Sequence, residues 1–389
     1  MNLFRFFFLL PLVFASTAIF AQDGPTTDTR VTHGPILGRP ETTSMTIWVR
    51  TNDPGEVNIF YGKNEDALDM IAPVLTTDLD HDNTGTVTIP GLESNTRYYY
   101  RIEDHQLSGS FLTMPDPAKF KNEEGNPDGL FNFSFEFACG NNQSGGGDSV
   151  GPSLPVFDTL NRDWRDKVHF AILNGDWLYE NRRDYSAERW MHQVAITEDQ
   201  APHIIQNAPT ITGVWENYKT YLERGRNLSE WHRHVPTFYT ADDHELLNDI
   251  FGTGEAGYVN RRAVFRDIAT QAWFDYLAWA NPVEHSKVAW FSRGNFKAGS
   301  DVIEDPNADF TKLNLEDMAN LHVHWGTPTA GVKDAELDSQ PGDPNSAVYD
   351  IVEVISPTQI RVSPAAKADG SAAYSIGRRA YGKFSVSNC

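Results

Sequence analysis

A strand, a helix and a second strand follow one another between Phe131 and Leu173, and this order constrains the fold strongly. Residues 131–138 alternate Phe with polar or small residues, as a half-buried strand does. Residues 153–166 place apolar side chains at helical spacing, and residues 168–173 form an apolar run typical of a buried strand. Two parallel strands joined by a helix form a βαβ unit. The sequence therefore predicts an α/β core here.

The chain on either side of this unit is β-rich. Residues 30–115 contain short alternating runs separated by turn residues, which predict an immunoglobulin- or fibronectin-like β-sandwich. A polar linker at 116–130 leads into the α/β core, which we place at 131–285. Short apolar runs separated by Gly, Pro and Asp then predict a β-rich insertion at 286–380, and residues 381–389 resemble the start of a further core strand. The predicted fold is therefore multidomain.

The charge balance excludes some partners. The 389 residues include 32 basic and 53 acidic side chains, which gives a net charge of −21. Nucleic-acid binders and proteins that dock on anionic lipid usually present a basic face, so neither class is favoured. The acidity fits a soluble extracellular protein, and it also fits carboxylates that hold hard cations such as calcium.

The N-terminus predicts export. Arg5 precedes an apolar run at 6–14, and small residues lead up to Ala21. No later segment has 18 uninterrupted apolar residues, which is the length that a membrane helix needs. We expect a signal peptide at 1–21 and a secreted or periplasmic monomer without a membrane span.

Polar side chains follow the predicted strands at three places. Cys139 ends the first strand, Asp176 and Tyr179 follow the second, and Asp242-Asp243-His244-Glu245 with Asn248 follows the third. In doubly wound sheets such strand ends face a common crevice. Carboxylate, thiol, phenol and imidazole groups are metal ligands. The pattern predicts a metal site, in which the carboxylate of Asp176 is placed to bridge two cations.

Most of these residues also have a structural interpretation. Tyr179 could be a packed aromatic whose hydroxyl is satisfied, and His244 could be a structural histidine. The adjacent acids Asp242 and Asp243 repel each other, which favours a nearby cation, but they could equally cap the N-terminus of a helix.

A pair of cysteines and a pair of histidines each allow two structural interpretations. Cys139 could form a disulfide with Cys389, although its position at a strand end suits a liganding thiolate. His322 and His324 lie on one face of a possible strand, where they could chelate a metal or simply belong to an exposed strand of the insertion.

The ordered motifs resemble those of the PhoD-type alkaline phosphatases, a branch of the calcineurin-like metallophosphoesterases. The matching elements are the strand end Ala138-Cys139, the motif Gly-Asp-x-x-Tyr-Glu at 175–180 and the motif Asp-Asp-His-Glu-x-x-Asn at 242–248. The order of export signal, fibronectin-like domain and phosphatase core is also similar. The resemblance covers about residues 30–285.

The resemblance implies specific roles for these residues. Cys139, Asp176 and Tyr179 would ligate Fe³⁺, and Ca²⁺ would complete the site. Asp243 and Asn248 would supply further metal ligands or support them, and His244 and Asp242 would act on the substrate. The activity implied is a secreted phosphoesterase that hydrolyses phosphate mono- or diesters by metal-activated hydroxide.

The family's last core motif, Gly-Asp-x-His with further ligands, does not occur before residue 389. We therefore expect an incomplete metallophosphatase core and a chain truncated at its C-terminus. The alternative is a non-catalytic extracellular binding protein, or an inactive fragment, whose β-sandwich recognises a surface or a polysaccharide. A serine hydrolase or a nucleotide-binding protein lacks support, since the Gly-x-Ser-x-Gly sequence at 147–151 and the Gly-x-Gly-x-x-Gly sequence at 252–257 do not directly follow a predicted strand.

Overall fold

The computed structural model describes residues 29–103, 107–143, 151–180, 183–250, 255–259, 261–282, 288–325 and 342–379. The predicted signal peptide at 1–21 and the predicted strand start at 381–389 lie outside these residues, as does Cys389. Within the described ranges, no helix has both the length and the apolar character that crossing a membrane requires.

The N-terminal region is built from short antiparallel strands. Its sheets have the orders β1-β2-β7, β3-β6 and β5-β4-β8-β9. Alternating side chains such as Ile47, Leu75 and Tyr100 face inward and form a buried apolar cluster. The strands are β1 (Val31–Gly38), β2 (Met45–Thr51), β3 (Gly55–Val57), β4 (Ile59–Gly62), β5 (Met70–Ile71), β6 (Leu75–Thr77), β7 (Thr84–Ile89), β8 (Arg97–Ile102) and β9 (Ser108–Leu112). The predicted β-rich N-terminal region is confirmed, while its immunoglobulin- or fibronectin-like identity stays a prediction.

The α/β core contains a parallel sheet in the order β10-β11-β12. Its strands are β10 (Phe135–Ala138), β11 (Phe170–Asn174) and β12 (Thr237–Thr240). A short helix α1 (Pro117–Phe120) precedes the sheet, and helix α2 (Pro155–Asp163) connects β10 to β11 as the βαβ pattern predicted. Because the strands are parallel, their carboxyl ends lie at one edge of the sheet.

Helices rich in large aromatic residues cover one side of this sheet. Trp215 and Tyr218 of α5 are fully buried among them. The helices are α3 (Ala187–Gln193), α4 (His203–Asn207), α5 (Ile211–Arg224), α6 (Arg226–His232) and α7 (Arg261–Tyr276). Helix α7 ends at Tyr276 because Leu277 leaves the helical conformation with φ −132°, and the chain continues as a 3₁₀ turn.

A closed antiparallel barrel follows the helices, in the order β13-β14-β17-β16-β15-β18. Its interior is packed with apolar side chains, including Ile303, Leu321 and Tyr349. The strands are β13 (Val288–Phe296), β14 (Val302–Glu304), β15 (Met318–Val323), β16 (Ala347–Ser356), β17 (Gln359–Ser363) and β18 (Gly370–Arg378). Closure pairs both edges of the sheet and so removes its open hydrogen-bonding edges.

The β-rich N-terminal region packs directly onto the helices. Ile36 and Trp48 belong to the same buried cluster as Trp215 of α5. The backbone N–H of Arg39 donates to the carbonyl of Ala280 at 3.1 Å. The N-terminal region therefore contributes to the hydrophobic core that supports the α/β sheet.

Candidate metal centre

The loops after β10, β11 and β12 meet at the carboxyl edge of the parallel sheet. The backbone N–H of Gly140 donates to the carbonyl of Gly175 at 3.1 Å, and that of Asn141 donates to the carbonyl of Asp176 at 2.7 Å. These bonds join the loop that carries Cys139 to the loop that carries Asp176. The convergence that the sequence predicts at the strand ends is therefore present in the fold.

Gly175 permits a close approach between the second and third loops. Its φ of +78° lies in the left-handed region, and a Cβ atom there would lie 2.6 Å from Cβ of Asp242. Asp176 also has a left-handed φ, of 52°. Such a conformation is uncommon for a non-glycine residue, and it turns the chain sharply at the end of β11. The turn directs Asp176 toward the third loop.

Asp176, Asp243 and His244 bring one ligand atom each to within 4.8 Å of one another. All are partly buried. Nε2 of His244 lies 4.0 Å from Oδ1 of Asp243. Oδ1 of Asp176 is buried and has no hydrogen-bond partner among the described residues. An orphaned carboxylate oxygen beside a second carboxylate and an imidazole is what a cation site presents, so the residues fit a metal ion.

The electrostatics of the group favour a cation. Burial raises the pKa of Asp176, and the carboxylates of Asp242 and Asp243 raise it further, against lowering by His244 and Tyr179. Burial lowers the pKa of His244, but the hydrogen bond with Glu180 and the nearby carboxylates outweigh this effect and raise it overall. Clustered carboxylates resist full ionisation until a positive charge compensates them.

Tyr179 lies against this group. Its hydroxyl donates to Oδ2 of Asp176 at 3.1 Å. Its ring contacts the ring of His244, with centroids 4.3 Å apart. Burial and the carboxylate of Asp176 hold the pKa of the phenol well above its usual range. The Tyr179 oxygen therefore lies beside the orphaned carboxylate, as a phenol ligand would.

The other predicted site residues occupy the edge of the group. Asp242 is exposed beside Gly175, and Cys139 is exposed at the end of β10. Asn248 is half-buried, and its side-chain amide donates to Asp249 at 3.2 Å. Among the described residues, these three lie outside the Asp176–Asp243–His244 group.

Two glutamates that the sequence interpretation did not assign hold the loops together. The carboxylate of Glu180 lies 2.7 Å from Nδ1 of His244 and accepts from the backbone N–H of Asn248 at 2.6 Å. The buried carboxylate of Glu245 accepts from the backbone N–H groups of Trp177 and Asp242. Both glutamates stand inside the two motifs, which is the sequence signal that could have identified them.

The alternative that His322 and His324 belong to an exposed strand was wrong, and their chelation of a metal stays a prediction. Neither histidine is exposed, and neither belongs to a metal-ligand group in the described chain. Nδ1 of His322 lies 2.9 Å from Oδ2 of Asp267, and Nδ1 of His324 donates to the carbonyl of Asn207 at 2.9 Å. The reason is that β15 packs against α7, and His324, just beyond β15, lies against the end of α4, so both rings turn inward.

The chain matches known proteins in separate parts. Residues 135–301 match the PhoD-like phosphatase family, and residues 28–110 match a domain family of unknown function, DUF7800. No curated protein sequence is significantly similar to the chain.

Solved structures give partial similarity. A structure of PhoD is 22% identical with a TM-score of 0.46, and the match covers 63% of this chain and 45% of that chain. The sensor domain of the anti-sigma factor RsgI4 from Pseudobacteroides cellulosolvens is 15% identical with a TM-score of 0.18, covering 23% of this chain and 99% of that chain. The present chain thus spans less than half of the PhoD chain that it matches.

The family match contains all three site loops, from the end of β10 through Asp176 to the third motif at 242–248. It confirms the resemblance that these motifs indicated. Over residues 135–301, the chain is therefore similar to the PhoD-like phosphatase family.

Proposed function

We propose that this protein is a secreted, metal-dependent phosphoesterase whose metal centre is built on Asp176, Asp243 and His244. The observation that carries the proposal is the orphaned, buried Oδ1 of Asp176 within 4.8 Å of ligand atoms on the other two residues. The family match over the same loops supports hydrolysis of phosphate esters. The substrate class extends to monoesters and diesters.

A bound cation of this kind would neutralise charge on the phosphate ester and lower the pKa of water. The residues of the chain fix the geometry around it. Glu180 lies 2.7 Å from Nδ1 of His244, which favours a proton on that nitrogen and leaves Nε2 facing Asp243. This arrangement supports a ligand role for His244, in addition to the substrate-orienting role that the resemblance implied.

Fe³⁺ and Ca²⁺ are the proposed ions, by family resemblance. The Tyr179 oxygen lies 3.1 Å from Oδ2 of Asp176, so Tyr179 would hold a ferric ion as a phenolate ligand beside Asp176. Cys139 precedes Gly140 and Asn141, whose backbone N–H groups donate to the carbonyls of Gly175 and Asp176. Its thiolate is therefore proposed as a further ligand at the same edge of the sheet. Asp243 and Asn248 are proposed to complete the ligand set, and Asp242 to face the substrate.

The test combines metal binding with hydrolysis. The purified chain is titrated with Fe³⁺ and Ca²⁺, the visible absorption of ferric phenolate is recorded, and hydrolysis of p-nitrophenyl phosphate and its diester is assayed. We expect coloured protein, hydrolysis that chelator abolishes, and loss of both in Asp176→Asn. The control Asp199→Asn changes an exposed acid in a 3₁₀ turn and should behave as wild type. Hydrolysis that survives complete chelation would contradict the metal mechanism, and absence of metal binding would favour the non-catalytic alternative.

A further inference from the structure

Two glutamates cross between the metal-site loops in opposite directions. Glu180 belongs to the loop after β11, and both of its carboxylate oxygens contact the loop after β12. Oε2 lies 2.7 Å from Nδ1 of His244, and Oε1 accepts from the N–H of Asn248 at 2.6 Å. The first loop is thereby attached to both ends of the segment 244–248.

Glu245 makes the reciprocal connection. It belongs to the loop after β12, and Oε1 accepts from the backbone N–H of Trp177 in the loop after β11. Oε2 accepts from the N–H of Asp242 at 2.9 Å, which closes its own loop. Glu245 is fully buried, and the Glu180 side chain is only 14% exposed. Leaving a buried donor or acceptor unpaired is costly, so these hydrogen bonds hold the two loops together.

The contacts place each glutamate one residue away from a proposed ligand. Glu180 follows Tyr179, and Glu245 follows His244. Trp177, held by Glu245, follows Asp176, and Asp242 precedes Asp243. All four oxygens of these two carboxylates are engaged by protein groups, so neither glutamate is disposed as a ligand itself. Their geometry instead fixes where the ligands stand.

We propose that Glu180 and Glu245 are positioning residues that lock the two loops in the register of the metal site before any cation binds. We call Glu180 and Glu245 the glutamate clamp. Its effect on metal affinity rests on the proposed function, whereas its effect on the loops does not. A preorganised site avoids the conformational entropy of ordering both loops when the ion arrives.

The loop effect is measured in metal-free protein by amide hydrogen exchange at single-residue resolution. In Glu245→Gln one carboxylate acceptor becomes an amide donor, so faster exchange is expected at Trp177 or Asp242. In Glu180→Gln, faster exchange is expected at the backbone amide of Asn248. The control Glu316→Gln alters an exposed side chain of the barrel region and should change none of these amides. Unchanged exchange at all three amides in both variants would overturn the clamp.

The metal effect is measured by titrating the same proteins with Mn²⁺ as the probe ion. Loss of groups that orient metal ligands typically weakens binding about 10- to 100-fold, and this range is expected for both clamp variants but not for Glu316→Gln. Wild-type affinity in a variant whose amides exchange faster would overturn the positioning role. If wild type binds neither Mn²⁺ nor the proposed Fe³⁺ and Ca²⁺, the proposed metal site fails, while the exchange result still decides the clamp. If Glu245→Gln does not fold, the less buried Glu180→Gln decides both.

Discussion

The carboxylate of Asp82 accepts two hydrogen bonds from the guanidinium of Arg50, at 3.0 and 3.1 Å, with both side chains buried. Both residues belong to the N-terminal β-region. The same carboxylate also accepts from Nε1 of Trp190 at 2.6 Å and from the hydroxyl of Tyr276 at 2.5 Å, on helices α3 and α7. Lys219 of α5 lies 3.5 Å away. One buried anion therefore connects the β-region to the helices that support the metal-site loops.

Replacing Asp82 by Asn should strongly destabilise the whole described fold. The change leaves the buried Arg50 charge without its anion and leaves Lys219 paired with Glu216 alone. Breaking a buried ion pair in this way costs about 3–5 kcal/mol. The free energy of unfolding is measured by urea denaturation. Asp301→Asn is the matched control, because its pair with Arg361 is about half exposed and exposed pairs contribute about 1 kcal/mol or less. Equal losses in the two variants would show that Asp82 does not have this central role.

Gly175→Ala should lower the free energy of unfolding by more than the left-handed backbone conformation at residue 175 alone explains. The added Cβ would meet Cβ of Asp242 at 2.6 Å and its backbone nitrogen at 3.0 Å, which forces the two loops apart. Gly91→Ala is the matched control, since Gly91 has a similar φ of +73° but no atom within 4 Å of the position that an added Cβ would occupy. We expect a loss of about 1 kcal/mol for Gly91→Ala from the left-handed conformation, and a further 1–3 kcal/mol, roughly, for Gly175→Ala from the overlap.

The same pair of variants separates stability from site geometry. Mn²⁺ affinity should fall in Gly175→Ala and stay at the wild-type value in Gly91→Ala, which is remote from the loops. The two readouts are urea denaturation and Mn²⁺ titration. Indistinguishable stability losses together with unchanged Mn²⁺ affinity would mean that the loops adapt to the extra methyl group.

Local patterns were enough to predict that the loops after β10, β11 and β12 lie together. Asp176 and His244 each follow an apolar strand, and parallel strands bring their carboxyl ends to one edge whatever the rest of the chain does. The glutamate clamp was not predictable in this way. The contact of Glu180 with His244, and that of Glu245 with Trp177, depends on how two loops far apart in sequence face each other in three dimensions.

His322 in β15 and His324 just beyond it show what residue spacing alone does not predict. Period-two spacing places His322 and His324 on one face of a strand, but spacing does not tell what covers that face. In the fold, barrel closure and the packing of α7 place Asp267 against His322 and the Asn207 carbonyl against His324. Burial also lowers the pKa of His324 to about 4, so its ring is neutral and hydrogen-bonded at ordinary pH. Long-range packing therefore buries both histidines, which their spacing in the sequence did not predict.

Asp275 on α7 should make the protein less stable as the pH rises from about 4 to above 6. Its carboxylate is buried, with Nε1 of Trp215 at 2.9 Å and the amide of Gln271 at 2.7 Å as donors. Burial is the largest influence and raises its pKa from 3.8 to about 6, with a smaller contribution from Asp82. The unfolded chain releases this proton first, so between these two pH values the native state binds more protons than the unfolded state. Its stabilisation is complete below the unfolded pKa and is lost as pH rises through the folded pKa, by up to about 1.4 kcal/mol per pH unit.

The check is the difference in unfolding free energy between wild type and Asp275→Asn, measured by urea denaturation from pH 3.5 to 7.5. The amide side chain keeps only one acceptor, so the variant loses a hydrogen bond and is offset by a constant amount at every pH. The informative quantity is the slope: the wild-type advantage should shrink from about pH 4 and level off above pH 6, because only wild type must ionise a buried carboxyl there. Asp66→Asn changes an exposed acid of the β-region and should give a difference that hardly varies over the same range. A wild-type advantage that grows with pH would mean that Asp275 is stabilised as a carboxylate, which would reverse the sign of its role in the core.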